Sequence, residues 1–202
     1  PISYTYTESS FKVDKTKLFK MDETLVYSGD TLSHKIRKHV FGSYNGLRNL
    51  TPGNKAKLIY DLSLRDKGSV FVKIKPEALE INPDFRYILS FQDNDYIKLG
   101  LAINAQSRLS MIRNGIAYDT GLVVEMDKWQ TVGIRYEPGQ IVVNLDKQTK
   151  VYNYQVDLTG TLTAVGMKTE TGVPKAHLNG VLEMLSYTKQ KVADAVVNKI
   201  VD

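Results

Sequence analysis

The segment Val124-Glu125-Met126-Asp127-Lys128-Trp129-Gln130 holds the arrangement nearest to an acid–base pair in this chain of 202 residues. A strand running that far would turn Glu125 and Asp127 onto one face, because side chains on a strand alternate. Two carboxyl groups so placed can divide general-acid and nucleophilic work between them. The next polar position is Gln130, an amide with no catalytic proton to give or take, and the strand is expected to end at Asp127. No catalysis is expected from this segment. The chain has no cysteine, which excludes a Cys–His dyad, and its histidines, His34, His39 and His177, are dispersed. His34 and His39 miss the i,i+4 spacing that would put two imidazoles on one metal, and a solvated basic face is the simpler account of them. No local signature of a Ser-His-Asp triad and no glycine-rich phosphate cradle is present.

Binding chemistry is better represented. The 12 tyrosines offer broad contact area with a polar tip, which suits a wet, polar ligand, although tyrosine also simply favours strands. Gln92-Asp93-Asn94-Asp95 supplies oxygen ligands of the kind Ca²⁺ takes. The run is shorter than an EF-hand loop and lacks its distal Glu, so a polar hairpin turn is expected and no cofactor. Asp93, Asp95, Tyr96 and Tyr118 are candidate ligand contacts on loop rims. Trp129, the only tryptophan, is expected to plug the core at a strand entrance.

These residues need strands to position them. From Lys55 onward the sequence alternates in period two, predicting strands over Ala56–Leu62, Ser69–Pro76, Arg86–Phe91, Tyr96–Ile103, Arg108–Arg113 and Gly121–Glu125. Further strands are predicted over Thr131–Tyr136, Gln140–Asp146, Val151–Val156, Thr161–Met167 and His177–Tyr187. Turn signals divide them, above all Asp93-Asn94-Asp95, Asn114-Gly115 and Pro138-Gly139. Many short strands without intervening helices imply a sandwich or barrel. Residues 1–48 read as an N-terminal extension, with an edge strand over 1–10 and a short helix from an Asp30 or Thr31 cap to Phe41. Val192, Ala195, Val196 and Ile200 recur at helical spacing and predict an amphipathic helix within Lys189–Ile200.

The net charge of +5 is spread along the chain apart from His34-Lys35-Ile36-Arg37-Lys38-His39, so no nucleic-acid partner is expected. No apolar run approaches the roughly 20 residues of a membrane span, and no membrane partner or signal peptide is expected.

Trp129-Gln130-Thr131-Val132-Gly133-Ile134-Arg135-Tyr136-Glu137-Pro138-Gly139-Gln140-Ile141-Val142-Val143-Asn144-Leu145-Asp146 resembles the central hairpin of laminin-G-like, concanavalin A-like jelly rolls. The chain has Lys147 where that pattern carries a glycine. The ending from His177 through Val197 resembles the last strand of the same superfamily leading into a helix. The order Lys67–Pro76, a strand ending in Ser90-Phe91, then Arg108–Gly115 looks most like the sialic-acid-binding lectin domain of bacterial sialidases, over residues 49–202. The resemblance implies an all-β jelly-roll sandwich with an N-terminal extension and a short C-terminal helix. It also implies that Arg113, near the end of its strand, pairs with a sugar carboxylate; a bare strand-end charge is the other account of it. A second arginine would be expected where this chain has Lys168. Glucanases of this fold carry a third carboxylate where Gln130 stands, so the module is expected to be non-catalytic.

The expectation is a lectin-like module, extracellular or virion-associated, whose partner is a glycan, including anionic or sialylated ones. Its rival is a structural or receptor-binding module of a phage tail or cell-surface assembly. In that reading residues 1–48 dock a protein partner or a second copy.

Overall fold

Two antiparallel sheets lie face to face in a computed structural model that describes residues 23–28, 33–44, 59–171 and 173–201. The first strands are β1 (Glu23–Ser28), β2 (Ser33–Tyr44), β3 (Ile59–Tyr60), β4 (Gly68–Pro76), β5 (Phe85–Asp93), β6 (Tyr96–Asn104), β7 (Arg108–Arg113) and β8 (Ile116–Val123). They continue as β9 (Gln130–Glu137), β10 (Gln140–Leu145), β11 (Gln148–Tyr152), β12 (Leu162–Val165), β13 (Lys168–Glu170), β14 (Val173–Lys175) and β15 (Gly180–Thr188), and the chain then forms helix α1 (Asp194–Val201). The seven-stranded sheet runs β1-β2-β15-β4-β9-β10-β11, the six-stranded sheet β3-β12-β5-β6-β7-β8, and β13-β14 is a separate ribbon.

Alternation decides which residues meet between the sheets. Val70, Val72 and Ile74 of β4, Val132, Ile134 and Tyr136 of β9, and Ile141, Val143 and Leu145 of β10 face Leu89, Phe91, Leu99, Leu101, Ile103, Leu109 and Met111. Nearly all of these are fully buried, each contributing about 1.5–3 kcal/mol in apolar transfer. The Tyr136 hydroxyl donates to the Arg65 carbonyl at 2.9 Å, and burial pushes its pKa upward. Gly133 has the opposite parity, and a Cβ there would stand 2.1 Å from the Phe71 ring, so only glycine lets β9 lie against β4 at this point.

The hairpin of β9 and β10 forms as predicted. Glu137 pairs with Gln140 across Pro138-Gly139, and Gly139 takes a φ of 84°, the second position of a type II turn. Asn114 and Gly115 both have positive φ, at 51° and 76°, which is the type I′ pattern. That tight reversal starts β8 at Ile116 and ends it at Val123, not over Gly121–Glu125 as predicted.

Two further expectations are corrected. Residues 33–44 are not helical: β2 pairs with β1 on one side and β15 on the other, so the seven-stranded sheet takes up this part of the extension. Ile36, Val40 and Phe41 suit a strand as well as a helix face, and cross-strand pairing overrides the weak local preference. The strand expected over 1–10 and the caps at Asp30 and Thr31 lie outside the described residues. Trp129 does not plug the core; it is 39% exposed, with the Lys73 ammonium 5.9 Å from its ring centre. Parity explains this, since Trp129 is in step with Thr131, Gly133 and Arg135, while Gln130 is in step with the core residues.

The C-terminal helix is present and is fastened through Arg135. This buried guanidinium donates to Asn144 Oδ1 at 3.0 Å and to the Val192 carbonyl at 2.9 Å, and pairs with Asp194 at 2.9 Å.

Candidate functional site

The acid–base segment is a turn. Glu125 and Asp127 both lie beyond the end of β8; Glu125 is paired with Lys128, and Asp127 has a φ of 59° with its amide donating to the Pro76 carbonyl at 2.7 Å. Gln130 is buried, accepts from the Glu125 amide at 2.9 Å, and donates to the carbonyls of Glu125 at 2.6 Å and Lys128 at 3.1 Å. The Gln130 amide therefore staples the turn entering β9.

Apart from Lys168, the expected site residues separate into two groups at one end of the sandwich. The first is a rim joining the edge strands of the two sheets, β8 and β11. Tyr118 lies 5.8 Å from Tyr152 and 5.4 Å from Tyr154 between ring centres, and Tyr152 and Tyr154 stack at 6.0 Å with planes 13° apart. All three are half-buried and pack on the core. The Arg113 guanidinium stands 4.7 Å over the Tyr154 ring, and its Nε donates to the Gln155 carbonyl at 2.9 Å. Gln155 Oε1 in turn accepts from the Gly139 amide at 2.9 Å, tying the rim to the β9–β10 turn. Both terminal nitrogens of Arg113 are without a protein partner among the described residues. Beside the rim, the Arg108 guanidinium holds the Asp119 carboxyl below its usual pKa, at 2.6 Å. Burial, followed by the neighbouring Asp119, raises the pKa of the Tyr152 phenol.

The second group surrounds a cleft of about 480 Å³ lined by Gln92, Asn94, Asp95, Leu162, Thr169 and Thr171 over Ile59 and Ala164. The turn from β5 to β6 forms one lip, with Asn94 at a φ of 53°. Asp95 Oδ1 accepts from the Thr171 amide at 2.7 Å, which fixes its carboxylate. Asp93 Oδ1 accepts from the Asn94 side chain at 3.4 Å, and Tyr96 stands beside the turn, 51% exposed. Among the described residues no three acidic or histidine side chains converge, and the turn forms a lip of the cleft.

Lys168 belongs to neither group. Its ammonium pairs with Glu170 at 3.0 Å and lies 5.7 Å over the buried Tyr87 ring. Lys168 holds the Glu170 carboxyl below its usual pKa.

Tyr152, Tyr154, Thr169 and Thr171 were not singled out from the sequence. Val151-Tyr152-Asn153-Tyr154 does carry a signal, since two tyrosines two apart on an extended segment share a side. Nothing local marks the threonines: Thr169 meets Gln92 across 77 residues of chain, and Thr171 meets Asp95 across 76.

The two sheets define an all-β, antiparallel jelly-roll sandwich. No protein-family model and no curated protein matches the sequence. Among solved structures, the chain is similar to the CBM40 domain of Ruminococcus gnavus IT-sialidase bound to α2,3-sialyllactose, with a TM-score of 0.59 and 14% identity over 72% of this chain and 93% of that one. Domain 4 of the extracellular GH43 arabinanase AbnA from Geobacillus stearothermophilus, in complex with arabinotriose, is similar with a TM-score of 0.55 and 13% identity, over 89% of this chain and 82% of that one. Trypanosoma rangeli sialidase in complex with sialic acid shows a TM-score of 0.57 and 13% identity over 88% of this chain, which spans 32% of the sialidase. The shared feature is the jelly-roll fold.

Proposed function

We propose that this chain is a non-catalytic carbohydrate-binding module whose Arg113 rim takes an anionic sugar residue. One observation carries the reading: Arg113 is held in place by the Tyr154 ring and the Gln155 carbonyl while its two terminal nitrogens have no protein partner among the described residues. A guanidinium fixed in this way presents a planar fork that matches a carboxylate. The neighbouring tyrosines supply ring faces for sugar C–H groups and hydroxyls for hydrogen bonds. The turn geometry of Glu125 and Asp127, and the amide at Gln130, support the non-catalytic part. The jelly-roll neighbours solved with sialyllactose and arabinotriose support the ligand class.

A glycan array of the full chain and of its Arg113→Ala variant tests the proposal. Binding to carboxylated glycans, weakened by about 10-fold or more in the variant, is expected from the loss of charge-assisted bonds worth about 1.5–3 kcal/mol. Absence of binding to any glycan, or binding indifferent to the substitution, would overturn it.

A further inference from the structure

The rim and the cleft look to opposite sides of the six-stranded sheet. Arg113 has the parity of the core residues Leu109 and Met111. Gln92 has the parity of Ser90, whose hydroxyl donates to its Oε1 at 2.8 Å, and the pairings Leu162↔Gln92 and Ala164↔Ser90 carry this outer face onto β12. The cleft is therefore separate from the rim, and its chemistry differs.

Its frame is built around one buried amide. Gln92 is 5% exposed, and its Oε1 also accepts from the Thr169 amide at 2.9 Å. Its Nε2 donates to the carbonyls of Thr169 at 2.8 Å and Asn94 at 3.1 Å. Both lips, the β5–β6 turn and β13, are thereby fastened to β5 before any ligand arrives, which lowers the ordering cost of binding. The volume of about 480 Å³ falls within the range of small-molecule sites, about 300–1,000 Å³. Leu162, 45% exposed, forms an apolar wall with Ala164 and Ile59. The polar lining consists of the Asn94 amide, the Thr169 and Thr171 hydroxyls, and Asp95, the one charged side chain lining the cleft among the described residues. One oxygen of Asp95 is fixed by the Thr171 amide, and its other oxygen has no protein partner among the described residues. A fixed carboxylate accepts hydrogen bonds from hydroxyl groups and repels anions.

We propose that this cleft is a second ligand site, selective for a neutral sugar residue. Its Asp95 carboxylate accepts from the sugar hydroxyls, and Leu162 covers the C–H face of the ring. The proposal is independent of the Arg113 reading, since the two sites call for ligands of different charge on different faces.

Amide chemical-shift mapping of the full chain, titrated separately with lactose, arabinotriose and free N-acetylneuraminic acid, tests it. At least one of the two neutral sugars should move the amides of Asn94, Asp95, Thr169 and Thr171, and the acid should leave them unmoved. Leu162→Trp, which fills the cleft from an exposed position, should abolish the neutral-sugar response while leaving the rest of the amide spectrum in place. Asp95→Asn should weaken the same response by about 10-fold, the difference between a charge-assisted and a neutral hydrogen bond. Neither neutral sugar moving these amides would overturn the proposal, as would a response indifferent to Leu162→Trp or one confined to residues near Arg113. A response to the acid at the rim alone would overturn this site and leave the proposed function standing. A response at the cleft alone would do the reverse.

Discussion

The rim and the cleft sit at the same end of one sandwich and are built by different means. The rim is an aromatic stack resting on the core, so its geometry comes from apolar burial and ring packing, and the charged side chain over the stack is a cation. The cleft joins an apolar wall to polar lips on the outer face, its geometry comes from one buried amide cross-linking those lips, and the one charged side chain lining it among the described residues is an anion. A side chain in the rim shares its support with many neighbours, whereas the support of the cleft converges on Gln92. Damage should accordingly be graded in the rim and abrupt in the cleft.

Gln92→Leu should give the largest effect. It strands the Thr169 amide and the Ser90 hydroxyl, each costing about 1–3 kcal/mol when left buried and unpaired, and a loss of about 3 kcal/mol is expected in denaturant unfolding. The same variant should lose the neutral-sugar response of the cleft. Unchanged stability would show that Gln92 does not hold the two lips.

Tyr154→Ala should cost less, about 1.5–2 kcal/mol, because the ring is half-buried and its neighbours remain. A double-mutant cycle with Tyr152→Ala should return a coupling of about 0.5–1.5 kcal/mol; additivity within error would mean that the stack contributes only burial.

Arg113→Lys sharpens the comparison without disturbing the fold. The ammonium keeps the charge and loses the fork, so affinity for a carboxylated glycan should fall about 10-fold while stability stays within about 0.5 kcal/mol. Equal affinity would mean that the rim offers only a point charge.

The pH response should be the smallest effect. Burial raises the phenol pKa of Tyr136 and Tyr152, so their contribution is complete below about pH 10 and is lost as the pH climbs beyond it. The Asp119 carboxyl is held low by Arg108, so its contribution is present above about pH 4 and fades as the pH falls further; both partners are exposed enough for that loss to be slight. Thermal melts across pH check both limbs, and a stability that rose above pH 10 would contradict the burial of the two phenols.

The fold was legible where local chemistry and long-range pairing agree. Arg108–Arg113, Pro138-Gly139 and Asn114-Gly115 fall where alternation and turn residues put them, because a register set by a tight turn needs nothing distant. Residues 33–44 were misread because their apolar positions fit a helix face and a strand equally, and the choice is made by β1 and β15, the latter more than a hundred residues downstream. Trp129 was misplaced by residue type, although its parity with Arg135 already put it on the outer face.

The candidate site was legible in halves. The turn at Asp93–Asp95 announces itself, while the facing segment at Thr169–Thr171 carries no signal of its own. Arg113 came from resemblance, and the residues that orient it, Tyr154 and Gln155, lie about 42 positions away.

The most direct measurement of the central claim is the Nε–H resonance of Arg113 in ¹⁵N spectra of the full chain titrated with N-acetylneuraminic acid. A saturable shift of that resonance, together with the amides of Tyr118 and Tyr154, is the predicted result. A resonance that stays in place while the sugar acid binds elsewhere, or does not bind at all, would contradict it.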